Sequence, residues 1–290
     1  MVHEFDAKKT EEFFNRRSDC FESFNSLKRP RDIIFLEKIL PKIKEKNPNK
    51  IKAIEFGCGS GDLVLNLINM GIDCYGIEKH DELYEIAKKK LSDKGHENRI
   101  IKGGVEKLID FEENSIDLVI LMGVFQYLSP EDYEEILKNI NKILKKRGDL
   151  IGSFQNAFFD LFTFNKYTLD FYKENLIKQI GIDKGVGKEI FKDLRNLITN
   201  PDEPDYSPNI ARDNIYIRTT NPITIGEEFY EKGFKLIEKY FYEFHFVPRL
   251  IEKKYENVLM SLAKDFEVKR ATEWFGYFMA NAFVVHFTKN

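Results

Sequence analysis

The sequence contains little cysteine. Its 290 residues include three cysteines, Cys20, Cys58 and Cys74, and no two of them form a C-x-x-C pair. An odd number of cysteines at this spacing predicts neither a disulfide framework nor a zinc site. The sequence also has no cluster of carboxylates and histidines that resembles a metal site, so we expect metal-independent chemistry in a reducing, cytoplasmic compartment.

The sequence also lacks an excess of positive charge and a long apolar run. The sequence has 45 Lys and Arg residues and 48 Asp and Glu residues, for a net charge of -3. This charge gives no support to nucleic-acid binding. The longest apolar stretch, residues 277–287, is interrupted by Asn281 and His286 and is too short to span a membrane. The N-terminus has no signal-peptide core. With 42% apolar residues, the chain is predicted to be globular.

The apolar pattern from residue 51 onward alternates short runs with amphipathic stretches. Such runs, separated by helices, are typical of parallel strands that are covered on both faces. We therefore predict an α/β fold with a doubly wound, mainly parallel sheet. The pattern divides the chain into an N-terminal helical cover at 1–50, an α/β core at 51–156, a helical insertion predicted as a lid at 157–220, and the rest of the core at 221–290 with a second insertion at 247–276.

The strongest functional signal is the glycine-rich segment IEFGCGSGD. A predicted strand there runs into Gly57, Gly59 and Gly61 and then directly into an amphipathic helix. Glycines let the backbone approach a ligand closely, and the helix behind them presents free N–H groups. The next strand ends at Glu78, where a carboxylate can accept hydrogen bonds from ribose hydroxyls. Together these features predict a nucleotide-type cofactor, although glycines alone also serve a tight turn.

Two other nucleotide motifs fit this loop less well. The NAD or FAD fingerprint has a small residue at its sixth position, where this sequence has Asp62. The sequence also has no phosphate-cradling G-x-x-x-x-G-K. A cofactor that carries an adenosine without a pyrophosphate therefore fits better.

These residues resemble the class I S-adenosylmethionine-dependent methyltransferases, whose E/D-x-G-x-G-x-G loop matches the segment that starts at Glu55. The resemblance implies S-adenosylmethionine as cofactor and a Rossmann-like sheet of seven strands, in which the last strand is antiparallel and lies between the fifth and the sixth. It assigns the ribose to Glu78. Gly104 stands where an aspartate is common, which leaves Val105 and Glu106 for the adenine. The cofactor-binding residues implied are Glu55, Gly57, Cys58, Gly59, Gly61, Glu78, Lys79, Val105, Glu106, Met122 and Gly123.

Two side chains are candidate catalytic residues. A hydroxyl acceptor benefits from a general base, commonly histidine, near its proton. His245 follows a strand-like segment beside the second insertion and is the predicted base, whereas Tyr127 is predicted to lie near the methyl group with Gln126. His286 alternates with apolar neighbours and is predicted to be a packed, hydrogen-bonded core residue. His80 lies in a charged context and is expected at the surface.

The leading hypothesis is a metal-independent enzyme that methylates a small-molecule acceptor, with O-methylation favoured over N-methylation. The near-neutral charge favours this function over an RNA or protein methyltransferase. A catalytically silent, S-adenosylmethionine-binding partner subunit is a third alternative. The KRPR run at 28–31 predicts a solvated helix start rather than a contact with a phosphate or carboxylate. The acceptor and the oligomeric state stay open.

Overall fold

A mixed β-sheet with helices on both faces runs through the part of the chain that the structure describes. The structure is a computed structural model, and it describes residues 5–15, 29–164, 166–173, 183–198, 215–247 and 269–290. Most of the second predicted insertion therefore lies outside the described residues, as does Cys20.

The strands form in the segments where the sequence has buried apolar runs. They are β1 Lys52–Phe56, β2 Asp73–Glu78, β3 Ile100–Lys102, β4 Ile116–Leu121, β5 Leu144–Asn156, β6 Thr219–Thr220, β7 Phe234–Phe244 and β8 Ala280–Lys289. The order across the sheet is β3-β2-β1-β4-β5-β8-β7, and β6 pairs with β5. Strands β1 to β5 are parallel to one another.

Helices cover both faces of the sheet. They are α1 Ala7–Asn15, α2 Pro30–Ile34, α3 Leu40–Lys46, α4 Asp62–Asn69, α5 Asp81–Ser92, α6 Pro130–Ile143, α7 Phe159–Thr163, α8 Lys166–Phe171, α9 Lys184–Ile198, α10 Ile225–Glu231 and α11 Gly276–Met279, with a π-helical stretch, Phe35–Ile39, between α2 and α3. Apolar side chains of α2 to α5 share one core with the sheet. Those of α6 and α10 share a second core with it.

Helix α6 shows how local sequence sets these elements. Ser129 precedes the helix, and its Oγ accepts a hydrogen bond from the Asp132 backbone N–H at 2.9 Å. Pro130 occupies a first-turn position where no N–H donor is needed. Ile136 and Ile140, one turn apart, are fully buried in the core. The cap and the apolar face together fix where the connection from β4 to β5 begins.

The predicted fold class is confirmed, with one addition. β8 lies between β5 and β7 and is antiparallel to both, as the resemblance implied. The predicted sheet has seven strands, whereas the described residues form eight. The additional strand, β6, pairs with Gln155 and Asn156 at the end of β5. A strand of two residues has no alternation that a sequence pattern can reveal.

A buried ionic cluster joins the N-terminal helices to the sheet. His286 in β8 is buried, and its Nε2 lies 3.0 Å from Oδ1 of Asp149 in β5. Lys46, at the end of α3, donates to both oxygens of the same carboxylate at 3.0 Å. The prediction that His286 is a hydrogen-bonded core histidine is confirmed. This cluster holds α3 against the sheet, because each oxygen of Asp149 has a charged or polar partner.

Candidate functional site

The chain reverses its direction of travel across the sheet between β1 and β4. From β1 it proceeds to β2 and β3 on one side, and then returns to β4 and β5 on the other. Ligands in open α/β sheets bind at such a switch point, beyond the carboxyl ends of the strands. A cavity of about 350 Å³ opens there, within the size range of small-molecule sites.

The glycine-rich loop forms one wall of this cavity. The N–H groups of Gly57 and Cys58 donate to the Ile77 carbonyl at 2.8 and 3.1 Å, which ties the loop to β2. Gly57 has φ 69°, and a Cβ there would lie 2.5 Å from Val124 Cγ2, so this position requires glycine. Gly59 has φ 54°, and a Cβ on it would meet no atom within 4 Å. The backbone is therefore exposed to the cavity at Gly59.

Glu78, at the end of β2, presents a buried carboxylate to the same cavity. Its Oε2 accepts from the Gly59 N–H at 2.8 Å, and its Oε1 accepts from the His80 N–H at 2.9 Å. His80 Nδ1 lies 2.8 Å from that Oε1. Burial raises the pKa of Glu78, but the bonds from His80 and Gly59 outweigh burial and hold the pKa below its ordinary value. The carboxylate is thus ionised and able to accept hydrogen bonds from a ligand's hydroxyl groups.

Glu55, at the end of β1, differs from Glu78 in its electrostatics. It is buried, and its Oε2 has no hydrogen-bond partner within the described residues. Burial raises the pKa of Glu55 well above its ordinary value, and the nearby Asp32 carboxylate raises it further. The pKa of Glu55 is therefore raised, whereas the pKa of Glu78 is lowered.

The far side of the cavity is built from the connections after β2 and β3. Lys79 lines it, together with Val105 and Glu106, the two residues that the resemblance leaves for the adenine. The Glu106 carboxylate accepts from the Gly104 N–H at 2.8 Å. Position 104 has no aspartate, but Glu106, two residues later, supplies a carboxylate to this wall.

The segment after β4 forms the wall nearest the sheet. Met122, Gly123, Gln126 and Tyr127 all line the cavity. The Gly123 N–H donates to Oγ of Ser153 in β5 at 2.6 Å, which fixes the turn that follows the strand. The fold therefore places these four residues in one cavity with the glycine-rich loop and Glu78, which is the grouping that the sequence predicts.

Helix α1, which belongs to the predicted N-terminal cover, contributes side chains to the cavity wall. Phe14 lies with its ring centroid 4.8 Å from that of His80 and 5.0 Å from that of Tyr127. Phe5 and Thr10 also line the cavity. The sequence of α1 has apolar residues among charged ones, which indicates an apolar face. The sequence alone does not show which surface that face covers.

Two predictions about cavity residues are wrong. His80, expected at the surface, contributes to the wall and contacts Glu78, because it follows directly from the strand end that carries that carboxylate. The predicted solvated helix start also fails, because Arg29 and Arg31 line the cavity and the Arg31 side chain is only 18% exposed. A charge pattern does not reveal that α2 begins at the carboxyl edge of the sheet.

His245, the predicted base, lies outside the set of side chains that line this cavity. It follows the end of β7, where its N–H donates to the Met279 carbonyl at 2.8 Å and its ring centroid lies 5.0 Å from that of Phe159. Among the described residues of the insertion at 157–220, none lines the cavity. The described enclosure comes from α1 instead.

Within the described residues, no group of three or more His, Cys, Asp or Glu side chains is placed to hold a metal ion. The helices described are each too short or too polar to cross a bilayer.

Residues 54–152 match the family described as "Methyltransferase domain". The chain is 31% identical over 117 residues to an uncharacterized methyltransferase of Oceanobacillus iheyensis and 30% identical over 115 residues to one of Anoxybacillus flavithermus. Each match covers 40% of this chain and 51% of the relative, so the chain spans about half the length of these curated relatives.

A crystal structure of a SAM dependent methyltransferase from Archaeoglobus fulgidus has the same fold. The TM-score is 0.53 at 14% sequence identity, and the match covers 96% of this chain and 99% of that chain. At this identity the likeness concerns the fold alone.

Proposed function

We propose that this chain, in which residues 54–152 match the methyltransferase-domain family, is a class I S-adenosylmethionine-dependent methyltransferase that transfers a methyl group from this cofactor to a small-molecule acceptor. The observation that carries the proposal is the ionised Glu78 carboxylate at the cavity wall, beside the exposed backbone of Gly59. This pairing offers acceptors for ribose hydroxyls and an open backbone surface for the rest of the cofactor.

The residues of the cavity fit the cofactor. Glu78 would hold the ribose, and Lys79, Val105 and Glu106 would surround the adenine. Among the lining residues that the structure describes, Asp and Glu outnumber Lys and Arg by seven to three. An excess of negative charge favours a ligand that carries a positive charge, such as a sulfonium.

When bound, S-adenosylmethionine supplies an electrophilic methyl group on a sulfonium. The task of the protein is then to align the acceptor with that methyl group and to exclude water. Phe14 covers the space above His80 and Tyr127, and it would keep water out. Gly123 and Tyr127 would border the acceptor, because both line the cavity in the segment that follows β4.

The cover formed by α1 supports a small acceptor. An RNA or a folded protein requires an open groove, and nucleic acid also requires a basic surface, whereas Phe5, Thr10 and Phe14 narrow this cavity by contributing to its wall, and its lining is acidic. We infer a hydroxyl acceptor, with His245 as base and no metal ion.

An acceptor screen tests this function. The protein is incubated with methyl-labelled S-adenosylmethionine and, separately, with small hydroxyl compounds, small amines, total RNA and mixed proteins. We expect label only in the small-molecule panels, and first among the hydroxyl compounds. Transfer only to RNA or protein would contradict the proposal, and cofactor binding with no transfer to any panel would indicate the silent partner subunit.

His245→Ala tests the base. Loss of a general base slows turnover by about a hundredfold or more, and we expect this with an unchanged affinity for S-adenosylhomocysteine. His96→Ala, which changes a histidine outside the cavity lining, is the matched control. Near-normal turnover of His245→Ala would contradict its role as base and assign the residue to packing, as its contact with Phe159 allows.

A further inference from the structure

His80 stands at the point where β2 ends and helix α5 begins. The residue before a helix is usually Ser, Thr, Asp or Asn, whose side-chain oxygen accepts a hydrogen bond from the first turn. His80 has the extended backbone of such a position, but within the described residues its side chain makes no capping hydrogen bond to α5. Its ring is turned toward the strand instead, with Nδ1 2.8 Å from Oε1 of Glu78. The side chain therefore interacts with the strand end and not with the helix.

Two of the three hydrogen bonds that Glu78 accepts within the described residues come from His80. Because the Glu78 carboxylate is ionised, it has no proton to donate, so Nδ1 of His80 carries the proton and donates. The ring N–H and the backbone N–H of His80 both donate to Oε1, at 2.8 and 2.9 Å, whereas the Gly59 N–H donates to Oε2 at 2.8 Å. These bonds oppose rotation of the carboxylate and keep Oε2 beside the exposed backbone of Gly59.

The ring of His80 is itself packed against the N-terminal helix α1. The His80 side chain is 19% exposed, and that of Glu78 is 4% exposed. The ring of Phe14 lies with its centroid 4.8 Å from that of His80, at an angle of 39°. A hydrogen bond is electrostatically stronger where water is excluded. Packing of Phe14 therefore favours the orientation in which His80 donates to Glu78.

We propose that His80 is a positioning residue, whose ring N–H holds the Glu78 carboxylate in the orientation that accepts hydrogen bonds from the hydroxyl groups of the ligand's sugar. An acceptor that is fixed before the ligand arrives reduces the entropy lost on binding. The inference rests on the proposed function, since the sugar is the ribose of S-adenosylmethionine. A merely structural role, as a spacer between β2 and α5, would affect every ligand of the cavity alike.

Calorimetric titration of His80→Leu with two ligands separates these roles. The ligands are S-adenosylhomocysteine and its 2′,3′-dideoxy analogue, which lacks the sugar hydroxyls. Leucine can still pack against Phe14 but has no donor for Glu78. We expect the substitution to weaken S-adenosylhomocysteine by about tenfold and to change the affinity for the dideoxy analogue by less than about twofold. Retained binding of the analogue shows that the variant is folded.

His96→Leu is the matched control, because it removes a histidine outside the cavity lining. It should leave both affinities unchanged. An equal loss of both ligands in His80→Leu, or an unchanged affinity for S-adenosylhomocysteine, would overturn the proposal.

An NMR titration of the Glu78 carboxyl carbon tests the same contact without a ligand, with Glu78→Gln to identify the signal. The donors on the carboxylate hold the pKa of Glu78 below its ordinary value. His80→Leu removes the ring donor, so we expect the pKa of Glu78 to rise. The other titratable groups around this pair are the same in both proteins, namely Glu55 of β1, Cys58 of the glycine-rich loop, Asp81 of α5 and Glu11 of α1.

The two measurements distinguish failure of the proposal from failure of the proposed function. If the wild-type protein binds no S-adenosylhomocysteine, the proposed function fails, while a raised pKa of Glu78 in His80→Leu would still support the positioning of the carboxylate. An equal pKa of Glu78 in the wild type and in folded His80→Leu would overturn the positioning role.

Discussion

Two buried carboxylates at opposite ends of the parallel strands have very different surroundings. Asp149, toward the amino end of β5, is paired with Lys46 and His286 at 3.0 Å. Glu55, at the carboxyl end of β1, has an oxygen without a partner within the described residues, and burial raises its pKa. Both oxygens of the Asp149 carboxylate are therefore paired, whereas Glu55 leaves an oxygen available.

The difference between the two carboxyl groups indicates that one contributes to the stability of the fold and the other to ligand binding. A carboxylate with charged and hydrogen-bonded partners holds elements together, and its removal leaves buried partners uncompensated. A buried carboxyl group without a partner contributes little to the stability of the fold. Its burial is unfavourable until a ligand supplies a hydrogen bond. We therefore expect substitutions at the two ends to change different measured quantities.

The largest effect on stability is expected at the amino end. Asp149→Asn removes the charge that faces Lys46 and His286, and loss of one partner from a buried ionic cluster costs about 3 kcal/mol. Urea unfolding should show this decrease, while the folded variant binds S-adenosylhomocysteine as the wild type does. A loss of ligand affinity without a loss of stability would contradict the assignment of this end to folding.

A smaller and pH-dependent effect is expected at Glu55. The folded state raises the pKa of Glu55 above its ordinary value of 4.5, so the folded state retains its proton longer than the unfolded state as the pH rises. The stability that this proton provides is complete below pH 4.5 and decreases as the pH rises through the folded-state pKa. Glu55→Gln cannot titrate, so its stability relative to the wild type should improve with pH, by on the order of 1 kcal/mol.

Glu78→Gln provides the comparison for this measurement. The folded state lowers the pKa of Glu78, so its contribution to stability is present above the ordinary pKa and is lost as the pH falls. Urea unfolding at several pH values should therefore give opposite trends for the two variants. Parallel trends would show that these two carboxyl groups do not differ as described.

Most of the fold could be predicted from the sequence because each element carries its own signal. The apolar runs of β1, β2 and β4 lie between amphipathic helices, and this alternation alone gives a parallel sheet with two covered faces. The antiparallel placement of β8 came from the family resemblance. The pairing of β6 could not be predicted, because Thr219–Thr220 forms a strand only through its contact with β5.

The part of the candidate site at the ends of β1 and β2 could be predicted from the sequence. The residues that other elements contribute to the site could not. Gly57, Gly59 and Glu78 stand in fixed relation to the ends of β1 and β2, so their meeting follows from the topology. Arg31 and Phe14 reach the cavity from helices that precede the sheet, and their charge or apolar character is equally compatible with a solvated or an internal face. His245 illustrates the opposite error, since proximity to a strand end did not bring it into the cavity lining.

The most direct test of the cofactor site is a calorimetric titration of the wild-type protein and Glu78→Ala with S-adenosylhomocysteine and NAD. We predict that the wild type binds S-adenosylhomocysteine and not NAD. Glu78→Ala should weaken that binding by about ten- to a hundredfold, because charge-assisted bonds to the ribose are each worth roughly 1.5 to 3 kcal/mol. Unchanged affinity in the variant would contradict the ribose assignment, and a wild-type protein that binds NAD, or neither compound, would contradict the account as a whole.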